Sequence, residues 1–337
     1  MKAAQLHKVG KIETRPLQVE EVELPVPRRG QILVKIEAAG ICRSNLHMVE
    51  GEWVHMGVPA KYPIIPGHEI AGRVAEVGEG VTSVKKDDKI GVSPLWTSCG
   101  SCEYCLTGRE QLCWKRDITG ETVDGGFAQY ILANDGHIYP LPAELDPVDA
   151  APLFCPGVTA YGAIKKVPLG PGKKLAVFGV GGVGHMAIKY GKLYGSDVYA
   201  VTRSDLHLAL SEELGATPVD AKKDPVAQLN RLGGVDASIV FAPSSDVAMQ
   251  AVRATKRDGT IVLGAWGGVP DFPFYDEKKV VGTLMGSRQV MREVISLAVS
   301  HKMLPVTETH PLDEVNKAMQ ELKKGEVKAR AVLKPWG

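Results

Sequence analysis

The sequence lacks a long apolar segment and an excess of charge of one sign. Its 337 residues contain no uninterrupted apolar run of the roughly 18 residues that a membrane-spanning helix needs, and the N-terminus lacks the apolar run of a signal peptide. Forty Lys and Arg balance 39 Asp and Glu, whereas nucleic acids and membrane surfaces attract basic proteins. We therefore expect a cytoplasmic protein that binds neither a membrane nor nucleic acid.

Cysteine is also scarce, with six residues in the chain. Thiols stay reduced in the cytoplasm, so these cysteines are candidates for metal binding or catalysis before they are candidates for disulfides. A chain of this length can bury a large core without covalent cross-links, and two domains are the default expectation.

The hydrophobic pattern divides the chain into three parts. In residues 1–155, segments such as 31–37 and 72–77 alternate apolar and polar residues, and frequent Gly and Pro predict a compact, barrel-like β-rich domain. Residues 156–285 alternate buried strands with helical segments, which predicts a doubly wound parallel sheet and an α/β fold class. We expect residues 286–337 to return to the first domain. The predicted strands after residue 156 are 174–180, 197–201, 237–241, 259–264 and 329–333, and the predicted helices include 204–214, 293–303 and 312–324.

Four cysteines form the most specific motif. Cys99, Cys102, Cys105 and Cys113 have the short spacing with which thiolates converge on one tetrahedral zinc ion. Four sulfur ligands leave no open position for a substrate, so the motif predicts a structural zinc site. A redox pair or unpaired buried thiols would be the alternative.

A glycine-rich segment lies between a predicted buried strand and a predicted helix. Glycines in this position let the backbone approach a pyrophosphate at a helix N-terminus, which predicts a dinucleotide site. The alternative is a glycine-rich turn without a ligand. The glycines concerned are Gly179, Gly181, Gly182 and Gly184.

Thr202, Arg203 and Ser204 follow the second strand of this region. A typical NAD site has an acidic residue there, about 20 residues after the glycines, which binds the ribose hydroxyls. A cation between two hydroxyls suits a 2′-phosphate instead, so the segment favours NADP(H) over NAD(H). The alternative is that Arg203 is a solvated loop charge.

Several dispersed segments resemble the medium-chain zinc alcohol dehydrogenases, and the resemblance covers essentially the whole chain. It is carried by residues 40–47 (GICRSNLH), 66–72 (PGHEIAG) and 154–160 (FCPGVTA), together with the four-cysteine segment. It implies a GroES-like catalytic domain and a Rossmann coenzyme domain. It also implies that Cys42, His68 and Cys155 bind a catalytic zinc with one position open, which makes two zinc ions per chain. Spacing alone could not group these three residues, and without the resemblance each would be read as core or loop.

The resemblance implies further roles around this centre. Glu69 approaches the metal during ligand exchange, and Ser44 and His47 relay the alkoxide proton. The remaining implied residues are Arg43 and Arg330 at the pyrophosphate and Thr159 at the nicotinamide. Trp53 and Leu95 are candidates for the wall of the substrate pocket, although packing alone would explain them equally well.

One residue departs from the family pattern. The family usually has Asp three residues after the first cysteine ligand, whereas this chain has Asn45. Such a carboxylate orients the ligand histidine and raises its basicity. Asn can hydrogen-bond but brings no negative charge, so we expect a more electropositive site and weaker metal binding.

These features predict a zinc-dependent oxidoreductase that interconverts alcohols and aldehydes or ketones by hydride transfer to or from a nicotinamide. The alternatives are a polyol or amino-alcohol dehydrogenase of the same superfamily, and a non-enzymatic zinc- and dinucleotide-binding protein. The chain's shortness resembles the tetrameric members of the family, so we expect a homo-oligomer, a tetramer or a dimer, acting on a small-molecule substrate.

Overall fold

The computed structural model describes all residues from Met1 to Gly337. They form two compact units. The first unit comprises Met1–Cys155 and Ser287–Gly337, and the second unit comprises Pro156–Gly286. None of the ten α-helices combines the length and apolar character needed to cross a bilayer.

The elements alternate in type most regularly in the second unit. The strands are β1 (Lys2–Leu6), β2 (Leu17–Glu21), β3 (Gln31–Gly40), β4 (Glu69–Val77), β5 (Lys89–Val92), β6 (Leu95–Thr97), β7 (Asp117–Ile118), β8 (Tyr130–Asn134), β9 (Ile138–Pro140), β10 (Lys174–Phe178), β11 (Asp197–Thr202), β12 (Thr217–Asp220), β13 (Val235–Val240), β14 (Thr255–Leu263), β15 (Lys279–Gly282), β16 (Thr307–Pro311) and β17 (Arg330–Lys334). The helices are α1 (Arg43–Val49), α2 (Glu103–Leu106), α3 (Pro147–Ala150), α4 (Pro156–Ile164), α5 (Gly184–Leu193), α6 (Asp205–Glu213), α7 (Pro225–Arg231), α8 (Ser245–Ala254), α9 (Arg288–Ser300) and α10 (Val315–Lys324).

Strand β3 is the centre of the first unit. It pairs antiparallel with β4, β8 and β17 in a seven-stranded sheet, whose main order is β16-β17-β3-β4-β5-β9. The β16–β17 pair is parallel. Ile32, Val34 and Ile36 of β3 are fully buried in a core that also takes Val315 and Met319 of α10. The prediction of a β-rich domain is confirmed, and its core includes the C-terminal segment.

The second unit contains a six-stranded parallel sheet with the order β12-β11-β10-β13-β14-β15. Numbered within the unit, this is the order 3-2-1-4-5-6 of a Rossmann fold, which confirms the doubly wound prediction. The order reverses between β10 and β13, and ligands of such sheets bind beyond the carboxyl ends of the strands at this reversal. The short strands β12 and β15 were missed by the sequence analysis.

Helix boundaries differ from the predictions where capping residues decide them. Ser287 caps α9 by accepting a hydrogen bond from the Val290 amide at 3.4 Å, so α9 begins at Arg288 and not at residue 293. The predicted helix 204–214 is observed as α6, in which Leu206 is exposed and Leu210 is fully buried. The predicted end of the last helix at residue 324 is confirmed, because Gly325 follows it with a left-handed φ of 76°.

Gly40 pairs with Glu69 where β3 and β4 meet. A Cβ atom at Gly40 would lie 2.9 Å from Glu69 Cδ and closer still to Oε2. Because Glu69 is fully buried and bound to Arg330, its carboxylate cannot move away without breaking a buried ion pair. We expect Gly40→Ala to lower the free energy of unfolding by about 3 kcal/mol, measured by chemical denaturation.

Gly136→Ala is the matched control, because Gly136 also lies in the first unit and a Cβ atom there would meet no other atom within 4 Å. It should change the free energy of unfolding by less than about 1 kcal/mol. Equal effects of the two substitutions would contradict the steric argument.

Candidate metal and cofactor sites

The four-cysteine segment brings its sulfur atoms together as predicted from the spacing. The four Sγ atoms lie within 4.8 Å of one another. Cys105 Sγ is 3.5 Å from Cys102 Sγ and 3.9 Å from Cys99 Sγ. A tetrahedron with metal–sulfur bonds of about 2.3 Å has edges of about 3.8 Å, whereas a disulfide bond is about 2.05 Å long. The cluster, which also includes Cys113, therefore has the dimensions of a tetrahedral zinc site.

The thiols of this cluster do not titrate alike. Hydrogen bonds from the backbone amides of Ser101 and Cys102 lower the pKa of Cys99 to about 5. Desolvation and the contact with Cys102 raise the pKa of Cys105 to about 11. Cys99 is thus more acidic than Cys105, and a bound cation would favour deprotonation of both thiols.

Three separate loops supply the second cluster. Cys42 lies between β3 and α1, His68 immediately precedes β4, and Cys155 ends the 3-10 turn Ala151–Phe154. The His68 loop depends on Gly67, whose φ is 99°. A Cβ atom there would also collide with the ring of Phe127. Only glycine therefore allows the chain to place His68 at this point.

The second cluster is buried and incompletely bonded. Cys42 Sγ lies 3.6 Å from Cys155 Sγ, and the ligand atoms of Cys42, His68, Glu69 and Cys155 all lie within 4.8 Å of one another. His68 Nε2 is buried without a hydrogen-bond partner, which is costly unless another group satisfies it. Two thiols and this imidazole form a donor set that fits zinc and leaves a fourth position open.

Charge is unevenly distributed within this cluster. The neighbouring Cys155 thiol lowers the pKa of Cys42, and the same contact, together with burial, raises the pKa of Cys155. Burial acts to lower the pKa of His68, but the contact with Cys42 and the charges of Glu69 and Glu121 together outweigh burial and raise it. Burial also raises the pKa of Glu69 to about 7, although Arg330 opposes this shift. Cys42 is thus the more acidic of the two thiols.

Arg330 forms a two-pronged ion pair with Glu69. Its Nε donates to Oε2 at 3.0 Å and its Nη2 donates to Oε1. Both side chains are buried, with 3% of Arg330 and none of Glu69 exposed. The structure thus places Arg330 beside the metal cluster. Its role at a pyrophosphate stays a prediction.

The predicted relay residues lie along α1. Ser44 Oγ is buried without a hydrogen-bond partner. His47 Nδ1 lies 2.7 Å from Glu52 Oε2, and the His47 ring lies 5.7 Å from the Trp53 ring. Glu52 was missed by the sequence analysis, since nothing in its spacing marks it as a partner of His47.

The other predicted residues of the first unit differ in exposure. Arg43 is exposed and donates from Nη1 to the Leu322 carbonyl at 3.3 Å. Leu95 is buried in β6, whereas Trp53 is partly exposed. Trp53 is therefore the better placed of the two predicted pocket residues to meet a ligand from solvent.

The glycine-rich turn joins β10 to α5 in the second unit. Gly179 has a φ of 93°, and its amide donates to the Val201 carbonyl at 2.9 Å. A Cβ atom at Gly184 would lie 3.0 Å from Gly179 C and closer to its carbonyl oxygen. At Gly181 a Cβ atom would meet no protein atom within 4 Å. The turn therefore requires two glycines for its own geometry and leaves space at the third. Gly182 lies in the same turn.

The end of β11 lies beside this turn through the Gly179–Val201 hydrogen bond. Thr202 Oγ1 accepts a hydrogen bond from the Ser204 amide at 3.3 Å, and Ser204 caps α6. Arg203 is exposed. The carboxylate of Asp205, two residues after Arg203, is 2.6 Å from Lys222 Nζ, so this acidic side chain has its own cation. Thr159, also in the second unit, is partly buried in α4.

Glu121 is a further residue that the sequence analysis missed. It follows β7, and its Oε1 lies 4.0 Å from His68 Nδ1. Burial raises the pKa of Glu121, while His68 opposes this shift. More than 50 residues separate the two positions in the sequence, and no motif connects them.

Comparisons with known proteins agree across both units. Residues 28–143 match the alcohol dehydrogenase GroES-like domain, and residues 182–300 match the zinc-binding dehydrogenase domain. An alcohol dehydrogenase of Geobacillus stearothermophilus is 40% identical over 345 aligned positions, which cover 99% of each chain.

Solved structures give the same result. The crystal structure of the alcohol dehydrogenase from Aeropyrum pernix superposes with a TM-score of 0.92 at 34% identity, covering 99% of this chain and 100% of that one. The structure of CAD from Helicobacter pylori complexed with NADP(H) has a TM-score of 0.84 at 25% identity and covers 99% of each chain. This chain belongs to the medium-chain zinc alcohol dehydrogenase family.

Proposed function

We propose that this zinc-dependent alcohol oxidoreductase works at a metal ion held by Cys42, His68 and Cys155. The observation that carries the proposal is the buried, unpartnered Nε2 of His68 next to two thiols 3.6 Å apart. Three ligands of this kind leave a coordination position for the substrate oxygen. The four-cysteine cluster has no open coordination position and would hold a structural zinc ion.

When bound, the zinc ion supplies Lewis acidity at the substrate oxygen, and the nicotinamide carries the hydride. The chain's own residues move the proton. Ser44 Oγ has no partner within the protein, so its hydroxyl can hydrogen-bond the substrate oxygen. The Glu52 carboxylate 2.7 Å from His47 Nδ1 keeps the imidazole hydrogen on Nδ1, which makes Nε2 the acceptor of the proton. Glu69 would act as the exchange ligand.

Cofactor binding is proposed for the second unit. Gly179, Gly181, Gly182 and Gly184 would receive the pyrophosphate, as their turn geometry supports. Arg43 and Arg330 of the first unit stay the pyrophosphate candidates that the family resemblance implies. Thr159 would line the nicotinamide site. Thr202, Arg203 and Ser204 would bind a 2′-phosphate, supported by the exposure of Arg203 and by the pairing of Asp205 with Lys222. NADP(H) is therefore the proposed cofactor.

Assembly and location are also proposed. The strand β15 forms an edge of the second unit's sheet. Exposed aromatic side chains occur in the same unit at Trp266, Phe274 and Tyr275. Exposed edges and apolar patches are common at subunit contacts, which supports a homo-oligomer, measurable by light scattering. Six free thiols support a cytoplasmic location.

Zinc content tests the two metal sites separately. We expect two zinc ions per chain in the purified protein, measured by atomic emission. Cys155→Ser should remove one ion and lower kcat for a primary alcohol by about 1000-fold or more, because the Lewis acid is lost. Cys105→Ser should also remove one ion but act mainly by lowering the melting temperature. One zinc per chain in the parent protein, or full turnover by Cys155→Ser, would contradict the assignment.

Cofactor preference tests the role of Arg203. We expect Arg203→Ala to lower kcat/KM for NADP⁺ by about 10- to 100-fold and to change that for NAD⁺ little, because a charge-assisted hydrogen bond to phosphate is lost. Arg231→Ala, which removes an exposed arginine of the same unit, should leave both values unchanged. A parent protein that prefers NAD⁺ would refute the assignment.

A substrate panel tests the proposed preference for simple alcohols. The aromatic Trp53 beside His47 favours apolar primary alcohols and their aldehydes. A higher kcat/KM for polyols or amino alcohols would instead support the sister activity of the superfamily.

A further inference from the structure

His68 would need a hydrogen-bond acceptor for its Nδ1–H group when it binds zinc, and the neighbouring Asn45 cannot supply one. His68 Nε2 is the buried nitrogen without a partner, so it is the nitrogen that would face the metal. A neutral imidazole that binds a metal through Nε2 carries its hydrogen on Nδ1. That N–H group, in a residue only 3% exposed, needs an acceptor.

Asn45 cannot supply this acceptor in its observed position. Its Oδ1 already accepts from the Cys42 amide at 2.9 Å, which leaves its Nδ2 3.5 Å from His68 Nδ1. Two donors therefore face each other. If the amide were turned over, the oxygen would serve His68, but the Cys42 amide would then face Nδ2 and lose its acceptor. An aspartate has two acceptor oxygens and could serve both groups, whereas one amide cannot.

Glu121 is the carboxylate available to His68 Nδ1. Its Oε1 lies 4.0 Å away and its side chain is only 17% exposed. The other acidic side chain in the cluster, Glu69, is bound by Arg330 through both oxygens. A shift of about 1 Å brings Oε1 to the distance of an N–H···O hydrogen bond.

We propose that Glu121 is a positioning residue that accepts the Nδ1 hydrogen of His68 and orients this ligand toward the zinc ion. It also supplies the negative charge that Asn45 lacks. The inference rests on the proposed zinc site. It changes the expectation drawn from Asn45, because a carboxylate from another loop restores charge next to the ligand histidine.

The test measures zinc retention and not turnover. The zinc-loaded full-length protein is titrated with a chelator, and the release of the zinc ion held by Cys42, His68 and Cys155 is followed. Glu121→Gln should weaken its binding by about 10- to 100-fold, the usual effect of removing a carboxylate that supports a histidine ligand. Glu144→Gln, an exposed glutamate of the same unit, is the matched control and should leave zinc binding unchanged.

A rescue experiment separates positioning from general destabilisation. In the double variant Asn45→Asp/Glu121→Gln, the aspartate can serve both donors, so zinc binding should return to within about threefold of the parent protein. Retention of the four-cysteine zinc and the melting temperature report on folding of each variant. Unchanged zinc binding in Glu121→Gln, or a loss that Asn45→Asp does not rescue, would overturn the inference.

The same titration distinguishes this inference from the proposed function. If the parent protein holds only the four-cysteine zinc, then the proposed catalytic site itself fails. If the parent holds two zinc ions and Glu121→Gln releases neither more readily, the catalytic site stands and only the role of Glu121 is lost.

Discussion

The buried ion pair between Glu69 and Arg330 joins two distant parts of the chain beside the metal cluster. Glu69 begins β4 and Arg330 begins β17, and both strands pair with β3. Removing two charges from water costs several kcal/mol for each ion, which only close, two-pronged geometry offsets. Gly40 makes that geometry available by leaving space for the carboxylate. Since His68 and Cys42 adjoin these strand ends, the position of the pair also limits where the metal ligands can lie.

Much of the fold could be predicted because its signals are local. The strand before Gly179 is almost uniformly buried, and the glycines after it favour a tight turn before a helix. The short strands β12 and β15 gave no comparable signal. Strand β12 contains Pro218, and β15 has four residues with none fully buried. Their places in the sheet follow from long-range pairing, which composition does not encode.

The candidate site was predictable only in part, for a related reason. The short spacing of the four cysteines from Cys99 to Cys113 was enough to predict that they bind one metal ion. Cys42, His68 and Cys155 could be grouped only through the family resemblance. Neither residue spacing nor the family resemblance identified Glu52 or Glu121. Each lies beside a histidine, and the local sequence around a glutamate is the same whether or not such a neighbour exists.

The division of the first unit between the two ends of the chain has a consequence for biosynthesis. The second unit, Pro156–Gly286, is continuous, so all of it has left the ribosome before the first unit is complete. The ligand loops around Cys42 and His68 are synthesised early, but Arg330, which pairs with Glu69, follows only with β17, after the second unit. Until β17 has been synthesised, Glu69 lacks the arginine with which it pairs in the fold. The buried site can therefore take its final form only after the second unit has been synthesised.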